Sequence, residues 1–273
     1  MDHWLVATIL GVIQGVLEWL PVSSEGSVSL ALTAMGVSES GVSATQFALF
    51  LHLGTALAAT IYYREEVTGL LGDLPSWRPR EGFEGEQATL TFLVVATLAS
   101  FVTGGLAYLT LKEVVSSLSG GAFVALIGAL LVGTGLLQKL AEGRSVETRT
   151  DVDVRDAVLV GGLQGIAILP GVSRSGTTVS ALLLRGHPGE PSLRLSFLLS
   201  IPAALAAGAL VIEEVGIPSI APGPALLALV ISAVVGYLTV GALVALVRRV
   251  AFWAVCIVFG ALAVVGGALL LFV

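Results

Sequence analysis

Three ionisable side chains stand among hydroxyls and glycines in otherwise apolar sequence: Glu18, Glu25 and Arg174. Glu18 follows Gln14 by one helical turn, so the two share a helix face. Ser23, Ser24 and Ser27 come next with Gly26 among them, while Ser173, Ser175, Thr177 and Thr178 surround Arg174 with Gly176 among them. A guanidinium among hydroxyls, where a following helix presents its first N–H groups, is a receptor for phosphate or carboxylate. Gly26 and Gly176 permit tight backbone that lets successive N–H groups converge on an anion. A carboxylate facing such a receptor supplies either a base or a metal ligand; Glu18 is the candidate for both, with Glu25 as the alternative base.

These residues belong to one segment that occurs twice, at 14–26 and again at 164–176. Gln, Gly, Val, Ser and the last Gly coincide without a gap. The copies differ where it matters: Glu18 faces Ile168, and Ser24 faces Arg174. One copy thus supplies negative charge and hydroxyls, and the other supplies the cation, which suits one joint catalytic site better than two equivalent ones. Gln14 and Gln164 are either site residues or pins between the segments. His52, within Leu51-His52-Leu53-Gly54, is either a cavity-lining residue or a partner in helix packing. Ser29, Ser180, Ser196 and Ser200 read as packing residues.

The elements that position this chemistry must lie in a membrane. Of 273 residues, 56% are hydrophobic and 12% charged, against about 25% charged in soluble domains; the mean hydropathy is +0.98. A net charge of −6 argues against a nucleic-acid partner. The start, Met1-Asp2-His3-Trp4, lacks the basic n-region of a cleaved signal, so the first apolar stretch is expected in the mature fold. Six stretches are long enough to cross a bilayer: 46–63, 88–110, 121–140, 195–214, 225–247 and 251–273. Two more, 4–35 and 157–186, break midway at the Pro/Ser/Gly turns and are predicted to be re-entrant helical hairpins. The connections 64–87 and 141–156 are predicted to be extramembrane loops.

Charge supplies the expected orientation. Arg64, Arg78, Arg80, Lys139, Arg144, Arg149, Arg155, Arg185, Arg194, Arg248 and Arg249 fall on one side of this threading, and Lys112 on the other. The basic side is predicted to be cytoplasmic. The fold class expected is therefore an all-α integral membrane protein with six transmembrane helices and two re-entrant hairpins. Its single domain, 1–273, divides into repeats of about 4–140 and 157–273. Each repeat is a hairpin plus three spans, an odd number, so the repeats have inverted topology and their tips meet near the midplane. Phe47 and Phe197 correspond beyond the hairpins. Trp4, Trp77 and Trp253 are expected in aromatic belts, Trp19 in contact with an apolar ligand, and His3 and His187 at the interface. Glu65-Glu66 and Glu213-Glu214 are read as solvated span ends, and Cys256, the only cysteine, as a small core residue.

Two motifs carry a resemblance. Pro170-Gly171-Val172-Ser173-Arg174-Ser175-Gly176-Thr177-Thr178 is similar to the PGxSRSxxT signature of the undecaprenyl-diphosphate phosphatase (bacitracin-resistance) family. Gly11 to Ser24 resembles that family's GxxEGxxEfLPvSSTGH motif, and Leu195 to Pro202 its run after the arginine motif. The resemblance implies a hydrolase of the cell membrane that dephosphorylates a long-chain polyprenyl diphosphate to the monophosphate, recycling a glycan carrier lipid. It also implies a divalent cation, Mg²⁺ above all, and a site opening to the outer face; a homodimer is left open. Glu18 matches the family's second acidic residue, Ser24 its nucleophile or phosphate ligand, and Arg174 its essential arginine. The sequence departs at Gln14 (Glu in the family), Ser27 (His) and Glu25 (Thr). Gln loses a charge, and Ser cannot take up a proton as imidazole does. Two other functions fit the same architecture: a transporter or flippase for a lipid phosphate, and a catalytically silent lipid-binding relative.

Overall fold

The computed structural model describes residues 2–37, 40–78, 82–83, 85–118, 120–142, 149, 151–217, 222–247 and 249–271. Arg80, Arg144 and Arg248 of the charge pattern lie outside the described residues. The helices, in chain order, are α1 (His3–Leu17), α2 (Ser24–Ala34), α3 (Gly41–Tyr62), α4 (Arg64–Asp73), α5 (Ala88–Ser116), α6 (Gly120–Glu142), α7 (Val154–Ile166), α8 (Arg174–Leu184), α9 (Gly189–Val215), α10 (Pro222–Val247) and α11 (Phe252–Leu269). Six of them, α3, α5, α6, α9, α10 and α11, are long and apolar enough to cross a membrane. These are the six expected spans.

Their ends differ from the hydropathy boundaries for a physical reason. α9 begins at Gly189 because Pro188 supplies an extended residue before its first turn. Its polar opening turns then carry Arg194 to Glu66, 3.0 Å away. Apolar content marks what lies in lipid, not where a helix stops. The 64–87 segment likewise contains the short polar helix α4, none of whose residues is buried.

The two interrupted stretches form helix–turn–helix pairs. Their limbs run to 15, 11, 13 and 11 residues, or about 17–23 Å at 1.5 Å per residue. That is less than a hydrocarbon core of about 30 Å. Both pairs restart in the same way. Ser23 Oγ accepts from Gly26 N at 3.1 Å, and Ser173 Oγ accepts from Gly176 N at 3.1 Å, each serine capping the helix it precedes.

Packing partners exchange between the halves. α1 lies on α10, and α7 lies on α5; α3 meets α9 and α6 meets α11 across the middle. Glycines set these approaches. A Cβ on Gly15 would stand 2.9 Å from Gly236 N, and one on Gly165 would stand 2.5 Å from Gly104 N. Gly128 and Gly260 similarly bring α6 and α11 into backbone contact.

Several residues do something other than expected. His187 is buried against Asp156, Nε2 to Oδ2 2.9 Å, rather than interfacial. Trp77 donates from Nε1 to Thr91 Oγ1 at 2.9 Å and is half-buried. Glu214 is held by Lys112, Tyr108 and Gln46 rather than freely solvated. Trp19 is buried, with its indole N–H on Gly236 O at 3.1 Å and its ring edge-on to Phe197. In each case a polar atom has found a protein partner, which hydropathy alone does not specify.

Candidate active site

The two interhelical turns touch. Gly171 N donates to Ser23 Oγ at 2.9 Å, and Ser175 Oγ donates to Leu20 O at 3.0 Å. Gln138 of α6 donates to Pro21 O at 2.6 Å, and Cys256 Sγ of α11 lies 3.2 Å from the same oxygen. Gly171 has φ +104, and a Cβ there would collide with Ile127 O, so both conformation and space require glycine. The unpaired carbonyls of the broken backbone are thereby satisfied inside protein, as low-dielectric surroundings demand.

This contact assembles the charges. Arg174 Nη2 lies 2.6 Å from Glu18 Oε1, and its Nη1 donates to Ser196 O at 3.3 Å. The other Glu18 oxygen, Oε2, accepts from Ser24 Oγ at 2.8 Å and from Gln14 Nε2 at 2.9 Å. Glu25 is within reach of Ser23 Oγ at 3.4 Å and Ser24 Oγ at 3.3 Å. His52, reaching in from α3, puts Nε2 3.0 Å from Glu25 and 3.3 Å from Glu18. These are ion-pair contacts rather than aligned hydrogen bonds. Its Nδ1 is 2.8 Å from Ala48 O, which can only accept, so Nδ1 carries a proton. Nε2 thus faces the two carboxylates while Nδ1 is tied to the backbone. All six side chains (Gln14, Glu18, Ser24, Glu25, His52 and Arg174) are buried.

The remaining sequence candidates lie around this cluster. Ser23 and Ser173 serve as helix caps, and the N–H groups of Gly26 and Gly176 are already paired with them. Ser27 turns away to Ser23 O at 2.8 Å. Thr177 bonds to Ser173 O at 2.9 Å and Thr178 to Arg174 O at 2.8 Å, while Thr178 also meets Ser196 Oγ at 2.7 Å. Gln164 bonds to Ser100 Oγ and Leu199 O. The positions identical in the two copies are thus mostly occupied by scaffolding, Gln14 excepted, and the positions that differ supply Glu18, Ser24, Glu25 and Arg174 to the cluster. Gln138 and Ser196 were not singled out as site residues, because nothing in their neighbourhood announces a partner far away in sequence.

A second buried charge group braces the far end of the α7–α8 pair. Asp156 receives Arg185 Nε at 2.6 Å and faces His187, and Asp153 receives Arg185 and Arg149, each at 3.0 Å. Burial raises the Asp153 carboxyl, but the Asp156 N–H and the two guanidinium groups outweigh it and hold it at about 2. Asp153 and Asp156 cap each other's backbone across the first turn of α7. That D-x-x-D spacing was the available signal.

A cavity of about 280 Å³ opens from the cluster. Glu25, His52 and Arg174 line its polar end, and Phe101, Ala207 and Leu210 are among its apolar walls. Among the buried polar atoms at the site without a hydrogen-bond partner are Arg174 Nε and Gln14 Oε1. The first is a free donor suited to an anion. The second, with the Glu18 and Glu25 carboxylates, is an oxygen donor suited to a hard divalent cation. Among the described residues no three His, Cys, Asp or Glu side chains form a metal-binding group. The orphaned Gln14 Oε1 and the carboxylates would fit a cation that took its other ligands from a bound phosphate, as Mg²⁺ commonly does.

A helical membrane protein with a buried carboxylate–serine–arginine cluster at the polar end of an apolar cavity defines a class: proteins that handle a charged headgroup on a lipid tail. Comparison with known sequences narrows the class. Residues 7–265 match the model of the bacitracin resistance protein BacA family, and the chain belongs to that family. It is 63% identical over 270 residues to an undecaprenyl-diphosphatase of Haloarcula marismortui, covering 98% of this chain and 99% of the relative. It is 37% identical over 257 residues to one of Methanothrix thermoacetophila, covering 94% of each chain. It is 38% identical over 248 residues to one of Geobacter sulfurreducens, covering 89% of each.

Proposed function

We propose that this protein hydrolyses a long-chain polyprenyl diphosphate, undecaprenyl diphosphate or a similar carrier lipid, to the monophosphate and phosphate. The observation that carries the reading is Glu18, which holds the Arg174 guanidinium on one oxygen and the Ser24 hydroxyl on the other. Family membership and the printed names of the relatives agree with it.

Phosphoryl transfer is loose, so the protein's task is alignment and charge neutralisation more than covalent chemistry. Arg174 faces the cavity with an unpartnered Nε and neutralises the terminal phosphate. The attacking oxygen, of Ser24 or of a water in its place, loses its proton to Glu18 as the new P–O bond forms at the terminal phosphorus. The bridging P–O bond breaks, and the polyprenyl monophosphate leaves with the bridging oxygen. If Ser24 attacks, water then hydrolyses its phosphate ester. A divalent cation bound through the substrate, Gln14 and a neighbouring carboxylate would withdraw charge from the diphosphate oxygens. His52, paired with Glu25, supplies positive charge where Ser27 leaves the family's histidine position without an imidazole.

We further propose that the two helix–turn–helix pairs are re-entrant and enter from opposite faces, as inverted repeats. Their short limbs and exchanged packing partners support this. The basic residues then mark the cytoplasmic side, and the site opens outward. The test is phosphate release from a polyprenyl diphosphate by purified protein with Mg²⁺. Folded protein that releases none across several lipids and cations would defeat the reading, and transbilayer movement of the lipid without release would favour a carrier.

A further inference from the structure

The exchanged packing creates two corresponding seams, α3 against α10 and α9 against α5, and they are closed to different degrees. Glycine contacts fix the correspondence: Gly15 lies on Ser232 and Gly236 as Gly165 lies on Ser100 and Gly104. Trp19 therefore answers to Leu169, and Tyr237 to Gly105.

The α3/α10 seam is sealed. Ser232 Oγ, bonded to Leu229 O of its own helix at 2.8 Å, also lies 3.2 Å from Leu51 O across it, and a Cβ on Gly54 would collide with Ser232. Trp19 fills the space that remains, so a Cβ on Gly236 would meet Ala58, Trp19 and Thr55. The α5/α9 seam lacks each of these features. Ser100 Oγ likewise bonds to Thr97 O of its own helix at 3.0 Å, but its other partner is Gln164 of α7 rather than a residue of α9. The three atoms nearest a Cβ on Gly104 would all belong to Gly165 of α7, and one on Gly105 would meet nothing within 4 Å. The cavity occupies this unfilled seam. Its inner end is the charge cluster, and its rim residues Phe101, Gly105 and Leu210 are exposed on the apolar outer surface of α5 and α9.

We propose that the α5/α9 seam is the port by which the isoprenoid tail of the lipid diphosphate leaves the buried site for the bilayer, with Gly105 setting its width. The inference rests on the diphosphatase reading. The cavity's size, about 280 Å³, is at the low end of ligand pockets, roughly 300–1,000 Å³. It accommodates a headgroup and the first part of a tail, and the rest of a long chain must run outside. An apolar chain bearing a diphosphate needs one continuous path from Arg174 to lipid, and this seam provides it.

The experiment measures kcat/KM for a long-chain prenyl diphosphate and for one of only two isoprene units. It compares the full chain with Gly105→Tyr, which introduces the residue found at the corresponding position of α10, with Gly105→Leu, and with Val102→Tyr, which adds bulk to α5 away from the cavity. Gly105→Tyr is expected to lower the long-chain value by roughly tenfold or more, sparing the short lipid. Gly105→Leu is expected to fall between, and Val102→Tyr to match the parent. Parent-like long-chain turnover by either folded Gly105 variant would overturn the port, as would equal loss on both lipids. Absence of release from the parent protein with either lipid would overturn the phosphatase reading and the port with it.

Discussion

Glu18→Gln separates the chemical role of the cluster from its structural one. The amide keeps the shape of the side chain and its reach to Ser24 and Gln14, but removes the charge 2.6 Å from Arg174 Nη2. At an effective dielectric of about 20, that pair attracts by roughly 6 kcal/mol. Breaking a buried pair by removing one partner costs about 3–5 kcal/mol, because the other charge stays buried and uncompensated. With Glu18 neutral, the buried Arg174 guanidinium loses the carboxylate that faces it. Melting temperature should fall, and turnover should drop about 10²–10⁴-fold with the loss of the base. The double variant Glu18→Gln/Arg174→Gln removes both charges, and should recover stability without recovering any phosphate release. The assays are thermal melting in detergent and phosphate release from a polyprenyl diphosphate. A double variant no more stable than either single one would refute the coupling, and a Glu18→Gln enzyme near parent activity would refute the base.

Ser24→Ala should lower phosphate release by about 10²-fold or more while lipid binding persists; Ser27→Ala should leave release unchanged, since its hydroxyl is engaged by Ser23 O. Gly171→Ala should lower the melting temperature sharply and abolish activity, because an L side chain at φ +104 collides with Ile127 O. The depressed Asp153 carboxyl contributes stability that is present above its ordinary 3.8 and is lost as pH falls through about 2. Melting followed over that acid range should show the decline in the parent and lose this component in Asp153→Asn; the group is over a third exposed, so the effect is modest.

Much of the architecture was legible because its causes are local. Six apolar stretches gave six long helices, and each Pro/Ser/Gly turn gave a break followed by a serine cap. The duplicated segment marked where the site would be, and the differences between its copies marked which residues would meet there. Glu18, Ser24 and Arg174 do meet. What stayed illegible depends on contacts between distant elements. Gln138 holding Pro21, and Asp156 receiving Arg185 and facing His187, have no local periodicity to betray them. α4 was hidden because ten residues with only Val67, Leu70 and Leu71 as an apolar face, and with two glycines among them, are too short a pattern to stand out from a loop.

The membrane solvent, the helical class, the doubled turn and the charge difference between its copies follow from composition or from short-range spacing. That Ser23, Ser173 and the paired glycines serve as caps and close contacts, that His52 enters from α3 to face both carboxylates, and that Trp19 plugs one seam while its counterpart stands open are products of three-dimensional packing. The reason is geometric. A burial pattern states which side chains must find partners, but the partner and the gap left over are set only when helices far apart in the chain are brought to a common distance.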